Sequence, residues 1–229
     1  MQARLVSSSA LAEGVNHFVF EAVGVDRLDF TPGQFVSLQA EIEGKQITRA
    51  YSLASAPTGG NGFELCLNLV EGGRLSPRLF ALRPGEQIEM SAPLGTFVLR
   101  DPARASILIA TGTGITPFRS FLRAYLPNGA PEFTLLFGVR HESNILYRAE
   151  FETLQQAHSQ FRFWPTLSRP GSGWGGRAGH VQAHLEAAIG RRRDIDFYLC
   201  GLKQMVDGVR SALKEMGFDR KQIRYEKYD

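Results

Sequence analysis

Through the first hundred residues apolar and polar positions alternate in short runs. These are 3–8, 17–21, 35–42, 45–53, 63–70 and 87–92, and a period of two marks half-buried strands. Thr31-Pro32-Gly33, Glu43-Gly44, Gly59-Gly60-Asn61-Gly62 and Arg83-Pro84-Gly85 interrupt them with turn chemistry. The pattern predicts a small antiparallel Greek-key β-barrel with one helix over 75–82. After Asp101-Pro102 the texture changes. Continuous apolar runs at 106–111, 133–138, 161–167, 197–200 and 223–228 alternate with helix-length segments at 115–125, 145–157, 181–189 and 204–216. That alternation predicts an α/β doubly wound parallel sheet with right-handed crossovers. The expected domains are 1–102 and 103–229.

Composition narrows the function classes. With 43% hydrophobic and 21% charged residues the chain has enough apolar surface for two cores. No apolar run approaches the ~20 residues of a membrane-spanning helix. The N-terminus lacks a signal-peptide core and reads as a strand, so a cytoplasmic protein is expected. Cys66 and Cys200 are the only cysteines, too few for a built-in iron–sulfur cluster, which takes four. Charge is uneven: residues 1–103 hold 8 Lys/Arg against 11 Asp/Glu, and the remainder 18 against 12. A basic C-terminal half favours a polyanionic ligand or an acidic partner; a nucleic acid is not expected.

Two segments carry the candidate chemistry. Arg49-Ala50-Tyr51-Ser52-Leu53 puts a guanidinium and an aromatic ring on one strand face. The first can fork onto a pyrophosphate while the second lies on a conjugated ring. Ser52 points the other way, so its hydroxyl reaches a ligand on that face only if the strand ends or bends there. A polar strand with an ordinary barrel tyrosine has the same signature. Gly72-Gly73-Arg74-Leu75-Ser76-Pro77 is a glycine turn into a helix start, with backbone N–H groups free for an anion. Gly112-Thr113-Gly114-Ile115-Thr116-Pro117 joins an apolar strand to a helix, which suits a second pyrophosphate, although the third glycine of the common dinucleotide fingerprint is missing. Leu199-Cys200-Gly201 ends a parallel strand, where open α/β sheets bind ligands; a buried structural cysteine is the plain alternative.

In this order the segments resemble the ferredoxin–NADP reductase family, bacterial type, and the resemblance covers essentially the whole chain. It implies FAD rather than FMN, with Arg49, Gly73, Leu75 and Ser76 at the phosphates, Tyr51 stacked on the isoalloxazine, Ser52 facing its N5 and Leu53 beside it. It implies NADP(H) on Gly112, Thr113, Gly114 and Gly201, with Cys200 beside the nicotinamide C4 as a spacer rather than a nucleophile. Arg140, Ser168, Arg169 and Arg177 are the candidates for a 2′-phosphate, a dianion that takes forked donors. Near the C-terminus Glu226 falls close to the reacting rings and Tyr228 covers the flavin, although relatives often end on a further aromatic where this chain has Asp229. A plain edge strand is the alternative for residues 225–229.

The implied activity is hydride transfer between nicotinamide C4 and flavin N5, with one-electron exchange to a separate ferredoxin or flavodoxin. Three other readings stay open: the NADH-dependent reductase component of an oxygenase system, a free-flavin reductase, and an FAD-binding electron-relay subunit. The Gly72–Pro77 turn argues against the second, and the intact Gly112–Gly114 turn with Cys200-Gly201 against the third.

Overall fold

The computed structural model describes residues 1–101 and 103–228. Pro102, at the expected domain boundary, and Asp229, at the tail, lie outside the described residues. The chain packs as two compact units, Met1–Leu99 with Thr116–Ala124, and Arg100–Ile115 with the chain from Tyr125 onward.

The first unit holds six antiparallel strands: β1 (Gln2–Ala12), β2 (Val15–Val23), β3 (Phe35–Ile42), β4 (Lys45–Ser52), β5 (Gly62–Asn68) and β6 (Gln87–Met90). They follow the order β4-β3-β6-β1-β2-β5. The open edges β4 and β5 meet through the bridge Leu53–Leu65 and the bond from Ala54 N to Glu64 O, 2.7 Å, which closes the sheet and removes its edges. Inside, Phe18, Phe20 and Phe63 are fully buried, and the Phe20 and Phe63 rings stack at 5.6 Å. Helix α1 (Leu75–Ala81) adds Leu75 and Leu79 to that core. Helix α2 (Thr116–Tyr125) lies far along the chain, yet residues Thr116–Ala124 pack with this unit. The Phe118 and Phe121 rings sit 5.9 and 6.0 Å from Phe97. Gly33, at φ +95°, lies so close beneath Phe121 that an added Cβ would stand 2.5 Å from its ring. No other residue type fits that turn.

The second unit is a parallel sheet of β7 (Ser106–Thr111), β8 (Phe133–Val139), β9 (Phe161–Leu167), β10 (Arg177–Ala178), β11 (Asp196–Leu202) and β12 (Ile223–Tyr228). Its order is β10-β9-β8-β7-β11-β12. Every residue of β7 except Thr111 is buried, as a strand covered on both faces requires. Helices α3 (Arg148–Ala157), α4 (Leu185–Ile189) and α5 (Lys203–Glu215) supply the crossovers.

Four details depart from the sequence expectation. The helix expected from Ile145 begins only at Arg148, because Tyr147 sits in the left-handed region at φ +55° while Ile145 and Leu146 turn into the core. The helix expected over 181–189 splits into a 3-10 turn, Val181–His184, and the shorter α4. A 3-10 turn, Gly112–Ile115, precedes α2, so the helix proper starts one residue later than expected. The Gly-rich loop after β9 contains the two-residue strand β10. No helix among the described residues is long and apolar enough to cross a membrane.

Candidate flavin and nicotinamide sites

In the first unit Tyr51 pairs with Val36 and Arg49 with Leu38, so both side chains project from one face of β4. Arg49 is exposed and one of its guanidinium nitrogens donates to Thr48 O at 2.8 Å. Tyr51 is half-buried against the barrel core. Burial pushes its phenol up to about 12 against the opposing charge of Arg49, so the ring is neutral and available for stacking. Strand β4 ends at Ser52, the condition under which that hydroxyl can leave the strand's alternation.

Leu53 and Leu75 are core side chains and offer a ligand only their backbone. Gly72 takes φ +68°, and Gly73 N donates to Val70 O at 2.9 Å. A Cβ on Gly73 would stand 2.9 Å from both Val70 Cβ and Val70 O. Turn closure therefore explains that glycine, and its N–H is already used. No side chain caps α1 and its first turn carries no acid, which leaves the first N–H groups of this short helix unopposed by a carboxylate. Ser76 Oγ accepts from Val70 N at 3.0 Å, holding the turn against the helix. A guanidinium, a flat neutral ring and an acid-free turn fit a dinucleotide with two phosphates.

Sequence reasoning missed a polar cluster beside these residues. Glu64 on β5 bonds Arg119 of α2, with Arg123 Nη1 at 3.2 Å and His17 Nε2 at 3.9 Å. Burial would raise the Glu64 carboxyl, but the hydrogen bond and charge of Arg119, then Arg123 and His17, hold it below its ordinary 4.5. Arg119 Nη1 also donates to Ala54 O at 3.0 Å, and Ser120 Oγ to Ser55 O at 2.6 Å. The signal in the sequence was a charged residue at a core position of the amphipathic α2.

In the second unit the strand order reverses between β7 and β11, the topological switch point where open α/β sheets take ligands. The Gly112–Gly114 turn follows β7, and Cys200-Gly201 lies at the C-terminal end of β11. A Cβ on Gly114 would stand 2.5 Å from the Cys200 carbonyl carbon and 2.7 Å from Gly201 Cα. A Cβ on Gly201, at φ +137°, would stand 2.8 Å from Thr111 O, and Leu202 N donates to Thr111 Oγ1 at 3.2 Å. Gly112, at φ +53°, has open space where a Cβ would point. Two backbones touch here and leave room on the adjoining side, which fits a pyrophosphate laid along a chain without side chains. Thr113 is buried.

Cys200 pairs with Glu226 in the parallel β11–β12 register, and Leu202 pairs with Tyr228. The Cys200 thiol is fully buried; burial and the Glu226 charge push it well above its ordinary range, against a hydrogen bond from Tyr228. It is a protonated thiol, consistent with a spacer and unlike an activated nucleophile. Cys200, Glu226 and Tyr228 thus meet at one place, although they come from two strands.

Arg140 follows β8 and Arg169 follows β9, joined by the bond from Arg169 N to Arg140 O at 2.9 Å. Ser168 N donates to Val139 O at 2.9 Å. Both guanidinium groups are unpaired among the described residues, and both residues are exposed. Arg177 differs: its guanidinium lies 3.7 Å from the Trp164 ring centre, and burial lowers its pKa from the ordinary value. The structure places it on an aromatic face, an arrangement that leaves the in-plane N–H groups of a guanidinium for other acceptors.

Residues 2–99 match the family described as "Oxidoreductase FAD-binding domain" and residues 108–211 the family "Oxidoreductase NAD-binding domain". Over 239 aligned residues the chain is 41% identical to ferredoxin–NADP reductase B of Sorangium cellulosum, covering 100% of this chain and 97% of that protein. It is 32% identical to the anthranilate 1,2-dioxygenase electron transfer component of Acinetobacter baylyi, over 89% of this chain and 60% of that one. In fold it superposes on a ferredoxin NADP+ reductase from Neisseria gonorrhoeae with bound FAD and NADP. That comparison gives a TM-score of 0.86 at 22% identity, covering 99% of this chain and 98% of the other. Two nucleotide sites, one on a closed antiparallel sheet and one at a parallel-sheet switch point, thus coincide with matches to both domain families, and the chain belongs to the ferredoxin–NADP reductase family of flavin- and nicotinamide-dependent oxidoreductases.

Proposed function

We propose that this chain is an FAD-containing NADPH oxidoreductase of the cytoplasm that exchanges electrons with a separate ferredoxin or flavodoxin. Residues 1–102 serve as its flavin domain and 103–229 as its nicotinamide domain. When bound, the two cofactors supply hydride transfer between nicotinamide C4 and flavin N5 and one-electron exchange with the carrier; the protein supplies position and electrostatics. Arg49 and the turn Gly73–Ser76 hold the flavin phosphates. Tyr51 lies on the ring system, Leu53 supports that segment through its backbone, and Ser52 faces N5. Gly112, Thr113, Gly114 and Gly201 seat the nicotinamide pyrophosphate. Cys200 keeps the rings at reacting distance, and Glu226 and Tyr228 border them. Arg140, Ser168 and Arg169 take the 2′-phosphate, with Arg177 at its margin.

The observation that carries this reading is the glycine contact at the switch point, Gly114 against Cys200-Gly201, with the unpaired Arg140 and Arg169 at the neighbouring strand ends. Purified protein is expected to be yellow, to hold one FAD and to bleach faster with NADPH than with NADH. Arg49→Ala is expected to weaken FAD binding by about 10- to 100-fold, the worth of a charge-assisted contact, while the fold persists. Arg169→Ala is expected to raise KM for NADPH about tenfold and leave NADH use unchanged, because the group it binds does not react. Colourless protein, or full FAD occupancy in the Arg49 variant, would refute the flavin assignment.

A second reading, the NADH-dependent reductase component of an oxygenase system, draws on Arg177. That guanidinium is held on Trp164, which confines where its N–H groups can meet a phosphate. Faster bleaching by NADH would favour it.

A further inference from the structure

The chain leaves β4 at Ser52 and runs through Leu53, Ala54 and Ser55 as buried backbone that meets β5 only at the isolated bridge Leu53–Leu65 and the Ala54–Glu64 bonding beside it. Backbone of that kind must find partners for its polar groups or it will not hold one conformation. Leu53 N donates to Gln34 O at 2.9 Å, and Ala54 N to Glu64 O at 2.7 Å. Ser55 Oγ accepts from Glu64 N at 3.1 Å. The two carbonyls face the other way and are met from α2: Ala54 O by Arg119 Nη1 at 3.0 Å and Ser55 O by Ser120 Oγ at 2.6 Å. Arg119 is almost entirely buried, with a side-chain exposure of 7%. The nitrogen that holds Ala54 O also bonds Glu64, so one guanidinium ties strand β5 to the segment that ends β4.

We propose that Arg119 is a positioning residue for the flavin. By fixing the Ala54 carbonyl, next to the Ser55 carbonyl held by Ser120, it sets where β4 stops, and so fixes the Tyr51 ring and the Ser52 hydroxyl two and one residues upstream of Leu53. The inference rests on the flavin reading of Tyr51 and Ser52. Arg119 acts through the backbone between β4 and α2. One guanidinium nitrogen serves the carbonyl and the carboxylate together, and the rigid planar group fixes the directions of its two N–H bonds, which an ammonium on a flexible stem does not.

Two variants separate positioning from mere stability. Arg119→Lys keeps a cation beside Glu64 and loses the planar group that fixes the two N–H directions. The double variant Arg119→Met with Glu64→Met replaces the pair by apolar groups, an exchange that proteins commonly tolerate. Amide hydrogen exchange at residues 52–56 is measured on full-length protein with and without FAD, beside FAD affinity and the NADPH-dependent rate of flavin reduction. Expected in both variants is exchange at 52–56 faster by about tenfold, and FAD binding weaker by about tenfold, as one lost charge-assisted bond implies. The flavin-reduction rate should fall while KM for NADPH stays put. If exchange at 52–56, FAD affinity and that rate all stay within about twofold of wild type, Arg119 is a packing residue and the proposal is overturned. Should the double variant fail to fold, Arg119→Lys decides on the same readouts. Wild-type protein that binds no FAD would sink the flavin reading instead, and exchange at 52–56 would still report whether Arg119 orders that segment.

Discussion

Glu64 in the first unit and Asp196 in the second are both carboxylates withdrawn from water beside arginines, and they titrate in opposite directions. Glu64 is held below its ordinary value and Asp196 is raised above it. Glu64 receives an aligned hydrogen bond from Arg119 and lies near Arg123 and His17. Asp196, at the start of β11, has Arg100 Nε at 3.2 Å, yet neither of its oxygens has a hydrogen-bond partner among the described residues. Burial therefore outweighs the charges of Arg100, Arg104 and Arg224 there. Arg100 is turned to other acceptors: one of its nitrogens donates to Lys221 O at 2.7 Å. Proximity of a cation is a weaker fact than a directed N–H bond when both groups are out of water.

The largest effect expected from breaking this contrast is at Arg119. Replacing it alone by Met leaves the half-buried Glu64 without its main donor, at a cost of about 2–3 kcal/mol in urea denaturation. Restoring stability by the second change, Glu64→Met, would establish that the unpaired charge, not the lost volume, was responsible. Next in size is Glu64→Gln, expected to cost about 1–2 kcal/mol at pH 7. Because the folded value lies below the unfolded one, this contribution is present above pH 4.5 and disappears as pH falls through the folded value. The stabilities of variant and wild type should converge in acid, and a constant gap down to pH 2 would contradict the ion-pair account.

Smallest, and opposite in sign, is Asp196→Asn. A raised carboxyl costs the folded state free energy as pH rises from its ordinary 3.8 through the folded value. The variant should therefore match wild type near pH 3 and equal or exceed it by up to about 1 kcal/mol at pH 7. A loss of more than 2 kcal/mol at pH 7 would mean that Arg100 and Asp196 form a well-made pair.

Much of the fold was legible because it is written locally. Strand β3 spans 35–42, β7 106–111, β9 161–167 and β12 223–228, as their apolar periodicity implied. The glycines of 112–114 and the end of β11 declared a switch point, and the structure brings Gly114, Cys200 and Gly201 into contact. What the sequence hid depends on distant partners. The Arg119–Glu64 pair joins residues 55 positions apart, and no spacing rule links them. Tyr147 in a left-handed conformation cannot be read from a residue type that rarely adopts it. Strand β10 is two residues long, shorter than any periodic signal. The stacking of Arg177 on Trp164, thirteen positions away and on a neighbouring strand, was likewise invisible to local spacing.

The placement of α2 bears on how separable the two halves are. Thr116–Ala124 packs with the first unit, yet the chain must cross β7 before reaching it. A fragment ending near residue 100 would lose Phe118, Phe121, Arg119 and Ser120 together. It would uncover Phe97, leave the carboxylate of Glu64 without its chief donor, and release the carbonyls of Ala54 and Ser55. Exchanging the front half of this protein for that of a relative is thus an operation on two stretches of sequence. A graft that carries residues 1–99 without the matching 116–124 should give an insoluble or molten chimera, whereas one that transplants both should keep its barrel intact.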